Sequence, residues 1–210
     1  MSLPWSIYRE LWTPYPPAPQ GDYLRGKVVV ITGATSGIGL EATKQLAAAS
    51  PSQMILAVRS VEAGEKVLQQ IKASYKGLEG KVIHCDLQDF TSLKECVENI
   101  KRDYDRVDLL INNAGMNPNF DEGPYKSTID GYERVFQTNV LAPLLMTFLL
   151  LPLLRRSNGP KVIFTGSDAH IFATHALIQT SVDNHQSIVG AYNDEGKYHQ
   201  PARYFESKAS

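Results

Sequence analysis

From Lys27 onward the chain alternates two kinds of hydrophobic pattern. Short apolar runs at Lys27–Thr32, Met54–Val58, Lys81–Asp86, Val107–Asn112 and Lys161–Thr165 predict five strands. Between them apolar residues recur at helical spacing. Gly37–Ala49 carries Ile38, Ala42, Leu46 and Ala49 on one face, and Ser60 stands where it can cap a helix bearing Val61, Ala63, Val67, Leu68 and Ile71. Phe90–Tyr104 predicts a third helix and Thr128–Leu154 a long fourth, after an Asn-, Pro- and Gly-rich loop over Asn113–Lys126. The first two strand cores show no polar alternation, as expected of strands covered on both faces of a parallel sheet. Right-handed crossovers then imply an α/β fold, a doubly wound parallel sheet in the order 3-2-1-4-5. The alternation breaks at residues 166–203, a long loop rich in His, Asp, Asn, Gln and Ser, and loops of that length are usually lids or disordered segments.

Composition narrows this picture only a little. Residues 1–24 read as an N-terminal arm with Trp5, Trp12 and several prolines, without the continuous apolar core of a secretory leader. Residues 25–210 are enough for one domain. The uncharged run Val140–Leu154 is shorter than the ~20 residues of a membrane-spanning helix, so it reads as a buried helix and no transmembrane segment is expected. A formal net charge of -1 gives no electrostatic case for nucleic acid. Cys85 and Cys96 fall in a predicted strand and a predicted helix, which fits reduced core thiols and a cytoplasmic location.

The candidate chemistry begins where the first strand ends, in Gly33-Ala34-Thr35-Ser36-Gly37-Ile38-Gly39. A strand, a glycine turn and a helix N-terminus leave backbone N–H groups facing outward with the positive end of the helix dipole behind them, which makes a phosphate cradle. The alternative is an ordinary glycine-rich turn. Arg59 lies twenty residues after Gly39, where an acid would read an NAD ribose and an arginine accommodates the 2′-phosphate of NADP; the alternative is a surface arginine at a helix start. Asp86-Leu87 closes the third strand, within reach of an adenine, although Asp86 could equally cap the next helix. Asn112-Asn113-Ala114-Gly115 closes the fourth, where small residues permit a ligand to approach the backbone, or make a simple turn.

These segments, together with Asn139 in Gln137-Thr138-Asn139-Val140, Ser167 and Tyr204-x-x-x-Lys208, resemble the short-chain dehydrogenase/reductase family from about Arg25 to the end of the chain. Ala57-Val58-Arg59-Ser60 is most similar to the carbonyl- and retinol-reducing branch and its fungal relatives. The resemblance implies a Rossmann domain that binds NADP and transfers hydride to or from a small hydrophobic carbonyl or alcohol. It implies cofactor contacts from Gly33, Ser36, Gly37, Ile38, Gly39, Arg59, Asp86, Leu87, Asn113, Ala114, Gly115, Tyr204 and Lys208. Tyr204 would be the general acid, and a free phenol titrates near ~10, so oxidation near neutrality needs its phenolate favoured by the Lys208 ammonium one helical turn on. Ser167 would hold the substrate oxygen, and Asn139 would bind a water that links Lys208 to solvent. On their own, Ser167 reads equally as a turn cap and Asn139 as a polar residue on a helix face.

Two departures from the family stand out. Ser167 and Tyr204 are 37 positions apart, longer than in most members, and His170, His175, His185 and His199 lie between them. A substrate lid is the expected use of that segment, and no metal site is expected, because no tight ligand pair occurs. The family's final strands are also missing, so the domain reads as C-terminally incomplete, with Tyr204 and Lys208 near a terminus that has few contacts. The expectation is therefore an NADP-dependent reductase, a homodimer in a full-length form. The alternative is a truncated dinucleotide-binding fragment with weak or no turnover.

Overall fold

The computed structural model describes residues 21–117, 125–174 and 176–209. Residues 1–20 of the arm, 118–124 of the loop after the fourth strand, and His175 lie outside the described residues. Five parallel strands, β1 (Val28–Thr32), β2 (Gln53–Val58), β3 (Glu79–His84), β4 (Leu109–Asn112) and β5 (Lys161–Phe164), form one sheet in the order β3-β2-β1-β4-β5. The expected doubly wound order is the observed one. In register, Val30 of β1 lies between Ile55 of β2 and Leu110 of β4.

Alternate residues of each central strand feed two separate cores, because successive side chains point to opposite faces. Val28, Val30, Ile55 and Leu110 pack with α3 (Phe90–Asp103) and α4 (Arg134–Leu154), through Leu93, Val97, Ile100, Met146 and Leu150. Val29, Ile31, Met54 and Leu56 pack with α1 (Gly37–Ala48) and α2 (Val61–Ser74), through Ala47, Val67, Leu68 and Ile71. Cys85 and Cys96 are free thiols buried in the first of these cores. The adjacent Cys96 thiol, reinforced by burial, pushes Cys85 up, so it stays protonated.

Several boundaries differ from expectation. β3 runs two residues earlier than Lys81–Asp86, because Glu79 pairs with Gln53 and Gly80 permits close packing on the Met54 carbonyl. On α1 the buried positions are Gly39, Thr43 and Ala47, whereas Ile38 is 75% exposed in the first turn, at the end of the helix that opens onto the cleft. The long fourth helix begins at Arg134, not Thr128. Glu133 caps it with both carboxylate oxygens, accepting from the amides of Val135 (2.9 Å) and Phe136 (2.7 Å). A π-turn over Gln137–Leu141 interrupts the α-helical ladder before it resumes at Ala142.

By length and composition α4 is apolar enough to cross a membrane, with mean hydropathy 1.6. Here it lies on the sheet with Ala142, Met146 and Leu150 buried, while Leu144 and Phe148 are exposed. β5 pairs with β4 and is exposed along its whole length. Residues 166–203, expected as one irregular loop, carry a 3-10 turn (Asp168–Phe172), α5 (Ala176–Asp183), α6 (Ile188–Tyr192) and a second 3-10 turn (Glu195–Lys197). α7 (Gln200–Ala209) follows and holds Tyr204 and Lys208.

Candidate functional site

A cleft of about 900 Å³ opens along the carboxyl ends of all five strands, where a doubly wound sheet reverses direction between β1 and β4. It brings together Gly33, Ser36, Gly37, Ile38 and Gly39 from the first turn, and Arg59 from the second strand's end. Asp86 and Leu87 follow β3, Asn113, Ala114 and Gly115 follow β4, and Ser167, Tyr204 and Lys208 complete it. Asn139 does not line the cleft. Its neighbour Thr138 does.

The cradle is built by close approach. Gly33 holds φ +68°, and a Cβ there would sit 2.8 Å from the Ala114 Cα. Thr32 ties the two halves together, its hydroxyl accepting from the amides of Asn113 (3.0 Å) and Ala114 (2.9 Å). Asn113 Nδ2 donates to the carbonyl oxygens of Thr32 and Gly33 at 3.1 and 3.3 Å. Ser36 occupies the N-cap of α1, and its hydroxyl makes no capping bond, so among the described residues it is left facing the cleft. The first-turn amides of this twelve-residue helix and its dipole suit an anion. These features fit a dinucleotide pyrophosphate.

Farther along the cleft, Arg59 is exposed at the rim and makes no ion pair among the described residues. Asp86 is not the cap of α3. That role falls to Asp89, whose carboxylate accepts from the amides of Thr91 and Ser92, while Asp86 accepts from the amide of Gln88 at 2.9 Å.

At the other end of the cleft Lys208 Nζ donates to the Thr165 carbonyl at 3.0 Å and stands 5.9 Å from the Tyr204 ring centroid. Burial holds the Lys208 ammonium below the ordinary lysine range. A Cβ on Gly115 would lie 3.2 Å from Asn139 Oδ1 and 3.3 Å from Lys208 Nζ, so three elements meet at this glycine. Ser167 lines the cleft and also caps the first 3-10 turn, its Oγ accepting from the Ala169 amide at 3.2 Å. The turn-cap reading of that serine is thus met at a position on the cleft wall.

Asn139 is committed to protein. Its Oδ1 accepts from the Met116 amide (2.8 Å), and Nδ2 donates to the Met116 carbonyl and to Ser207 Oγ (both 2.9 Å). It sits behind the wall and ties the π-turn of α4 to α7. The few contacts expected for α7 are likewise replaced by several: Asn139 on Ser207, Lys208 on Thr165, and Phe205 against Phe172 at 5.4 Å. Thr165 and Ser207 escaped the sequence reading because one acts through a backbone carbonyl and the other as an unremarkable serine beside Lys208. Thr32 carried a usable signal, a hydroxyl at a strand end just before the first glycine.

Beyond Asp168 no described residue up to Arg203 lines the cleft. Of its histidines, His175 lies outside the described residues. Among the described residues no three His, Cys, Asp or Glu gather as a metal site.

A family model described as short chain dehydrogenase matches residues 27–178. A short chain dehydrogenase of Aspergillus nomiae, rstn4, is 31% identical over 92% of this chain and 54% of its own length. Retinol dehydrogenase 12 of Mus musculus is 38% identical over 70% of this chain and 45% of its own. The chain thus spans about half the length of these curated relatives. Among solved structures, the Pseudomonas aeruginosa RhlG/NADP active-site complex superimposes with a TM-score of 0.61 at 26% identity, over 88% of this chain and 63% of that one.

Proposed function

The chain belongs to the short chain dehydrogenase family, and from that premise we propose that it is an NADP(H)-dependent oxidoreductase. It reduces the carbonyl of a small hydrophobic substrate or oxidises the corresponding alcohol. The observation that carries this reading is one cleft lined by the glycine cradle at one end and by Ser167, Tyr204 and Lys208 at the other.

Gly33, Ser36, Gly37, Ile38 and Gly39 would hold the pyrophosphate, with Asp86 and Leu87 at the adenine and Asn113, Ala114 and Gly115 along the cofactor's path. Arg59 would pair with a 2′-phosphate, a bidentate match that an acid there would repel. A relative named for retinol and a neighbour solved with NADP support the same ligand classes. The bound cofactor supplies or accepts the hydride.

Ser167 donates its hydroxyl to the substrate oxygen and orients it. Tyr204 delivers its phenolic proton to that oxygen as the carbonyl carbon gains hydride, and takes the proton back in the oxidising direction. Lys208 stabilises the resulting phenolate as a nearby cation, and the Thr165 carbonyl fixes where its ammonium points. Asn139 is a positioning residue that holds Ser207, and with it the turn of α7 that bears Lys208.

The test is hydride transfer from NADPH to a panel of hydrophobic aldehydes and ketones, beside calorimetric titration with NADPH and NADH. Tyr204→Phe should lower turnover by about 10²-fold or more while leaving NADPH binding in place. Full activity in that variant would overturn the mechanism. A second reading, a dinucleotide-binding protein with little turnover, is favoured by β5, whose exposed length leads directly into Thr165 and Ser167. Tight NADPH binding without transfer to any of the panel would select it.

A further inference from the structure

The π-turn of α4 serves both ends of the cleft. Asn139 leaves it toward α7, and Gln137, two residues earlier, leaves it toward the turn that follows β3. Gln137 is 0% exposed, and both polar atoms of its side chain are bonded. Its Nε2 donates to the Leu87 carbonyl at 3.3 Å and to Asp130 Oδ2 at 2.7 Å. Its Oε1 accepts from the Thr128 hydroxyl. A carbonyl and a carboxylate only accept, so the amide can stand only this way round.

The turn that Gln137 reaches carries Asp86, Leu87 and Gln88 on the cleft wall. Its own bonds are local. The Asp86 carboxylate accepts from the Gln88 amide, the Asp86 amide donates to the Ser92 hydroxyl at 2.9 Å, and Asp89 caps α3. Those bonds set the shape of the turn and its join to α3. They do not tie it to the rest of the cleft.

That tie comes from far along the chain. Gln137 holds the Leu87 carbonyl across 50 positions, and Asp130 holds the Phe90 amide at 2.9 Å across 40. One carboxylate oxygen, Asp130 Oδ2, accepts from both Phe90 and Gln137, so the two ties form a single brace. Leu87 also packs in the core shared with α3 and α4, at 6% exposed. Apolar burial is non-directional: it keeps the turn folded down but does not aim it. Hydrogen bonds do aim it.

We propose that Gln137 is a positioning residue for the adenine of a bound dinucleotide. With Asp130 it fixes where Asp86 and Leu87 stand against the cleft, and it touches no ligand itself. This rests on the dinucleotide reading above.

The experiment is calorimetric titration of the full chain and two variants with NADPH, adenosine 2′,5′-bisphosphate and inorganic pyrophosphate. Gln137→Met keeps the length of the side chain and loses the donors. It should weaken NADPH and the bisphosphate alike by about tenfold, the worth of one or two hydrogen bonds. Pyrophosphate, which needs only the glycine cradle, should bind as before. Asp130→Ala changes a half-buried residue outside the helix and should weaken both adenine ligands by about threefold. It keeps the test decisive if Gln137→Met does not fold. Unchanged affinity for the adenine ligands in the folded variants would overturn the proposal and leave the dinucleotide reading standing. Equal losses for pyrophosphate would also overturn it, because they mark a general loosening of the fold. A wild-type chain that takes up neither NADPH nor the bisphosphate would instead remove the dinucleotide reading, and this inference with it.

Discussion

Two glycines of the cradle serve different purposes, and a single methyl group separates them. A Cβ on Gly39 would stand 2.1 Å from the Gly33 carbonyl oxygen and 2.3 Å from Asn113 Nδ2. Both atoms are tied, because Asn113 Nδ2 is bonded across the crevice to the carbonyl oxygens of Thr32 and Gly33. At Gly37 a Cβ would meet nothing within 4 Å, and only the φ of +52° opposes it. Gly37→Ala should therefore cost about 1–2 kcal/mol, the strain of a left-handed backbone. Gly39→Ala should cost more, about 3 kcal/mol, as overpacking against backbone does. Urea unfolding of the two variants checks this, and equal losses would mean that close approach at Gly39 is not what requires glycine.

At the scale of elements, α7, which bears Tyr204 and Lys208, is held from behind. α7 meets the π-turn of α4 through Asn139, and a π-turn displaces the side chains that follow it by one position relative to a regular helix. Asn139 thereby reaches Met116 and Ser207 together, instead of lying along the helix face. Asn139→Ala removes three hydrogen bonds and leaves the Met116 amide without this acceptor. Hydrogen exchange over residues 202–209 should then quicken by about tenfold or more, while α2 on the opposite sheet face keeps its protection. Unchanged exchange in α7 would show that Phe205 on Phe172 and Lys208 on Thr165 suffice without Asn139.

For the molecule as a whole, the two ends of the sheet are used differently. The carboxyl ends form the cleft, while the amino ends gather around Asp108. Its carboxylate accepts from the Val28 amide at 2.8 Å and from Arg106 Nε at 3.1 Å, pairs with Lys27, and takes a hydrogen bond from Ser157 beyond α4. Burial raises its pKa, but the Ser157 hydroxyl, the Val28 amide and the two cations outweigh burial, so the carboxyl lies below its ordinary 3.8. A depressed carboxylate contributes stability above the unfolded-state value and loses it as pH falls through the folded-state value. Stability should therefore decline as pH drops below about 4. Asp108→Asn should be less stable at neutral pH and should show a shallower decline in that acidic window. Urea midpoints measured between neutral and acidic pH would decide it, and an unchanged slope would remove Asp108 as a contributor.

Local pattern carried much of this protein. Uninterrupted apolar runs such as Val28–Ile31 report a strand buried on both faces, and strands alternating with helices leave few topologies, so the sheet order was legible. The cradle was legible too, because glycine spacing at a strand end is a backbone requirement written in residue types. The placement of Asn139 was not, since its partners Met116 and Ser207 lie 23 and 68 positions away along the chain. Nor was the form of residues 166–203. Short helices such as α6 are stabilised by distant contacts, as Tyr192 is by Phe136, and leave little local periodicity. The sequence by itself determined the strands, their order and the glycine turn, because local periodicity and backbone sterics suffice for them. Only the tertiary structure decided what holds α7 and how Arg203 is buried against Tyr192 and Tyr198, because both depend on side chains brought together across the fold.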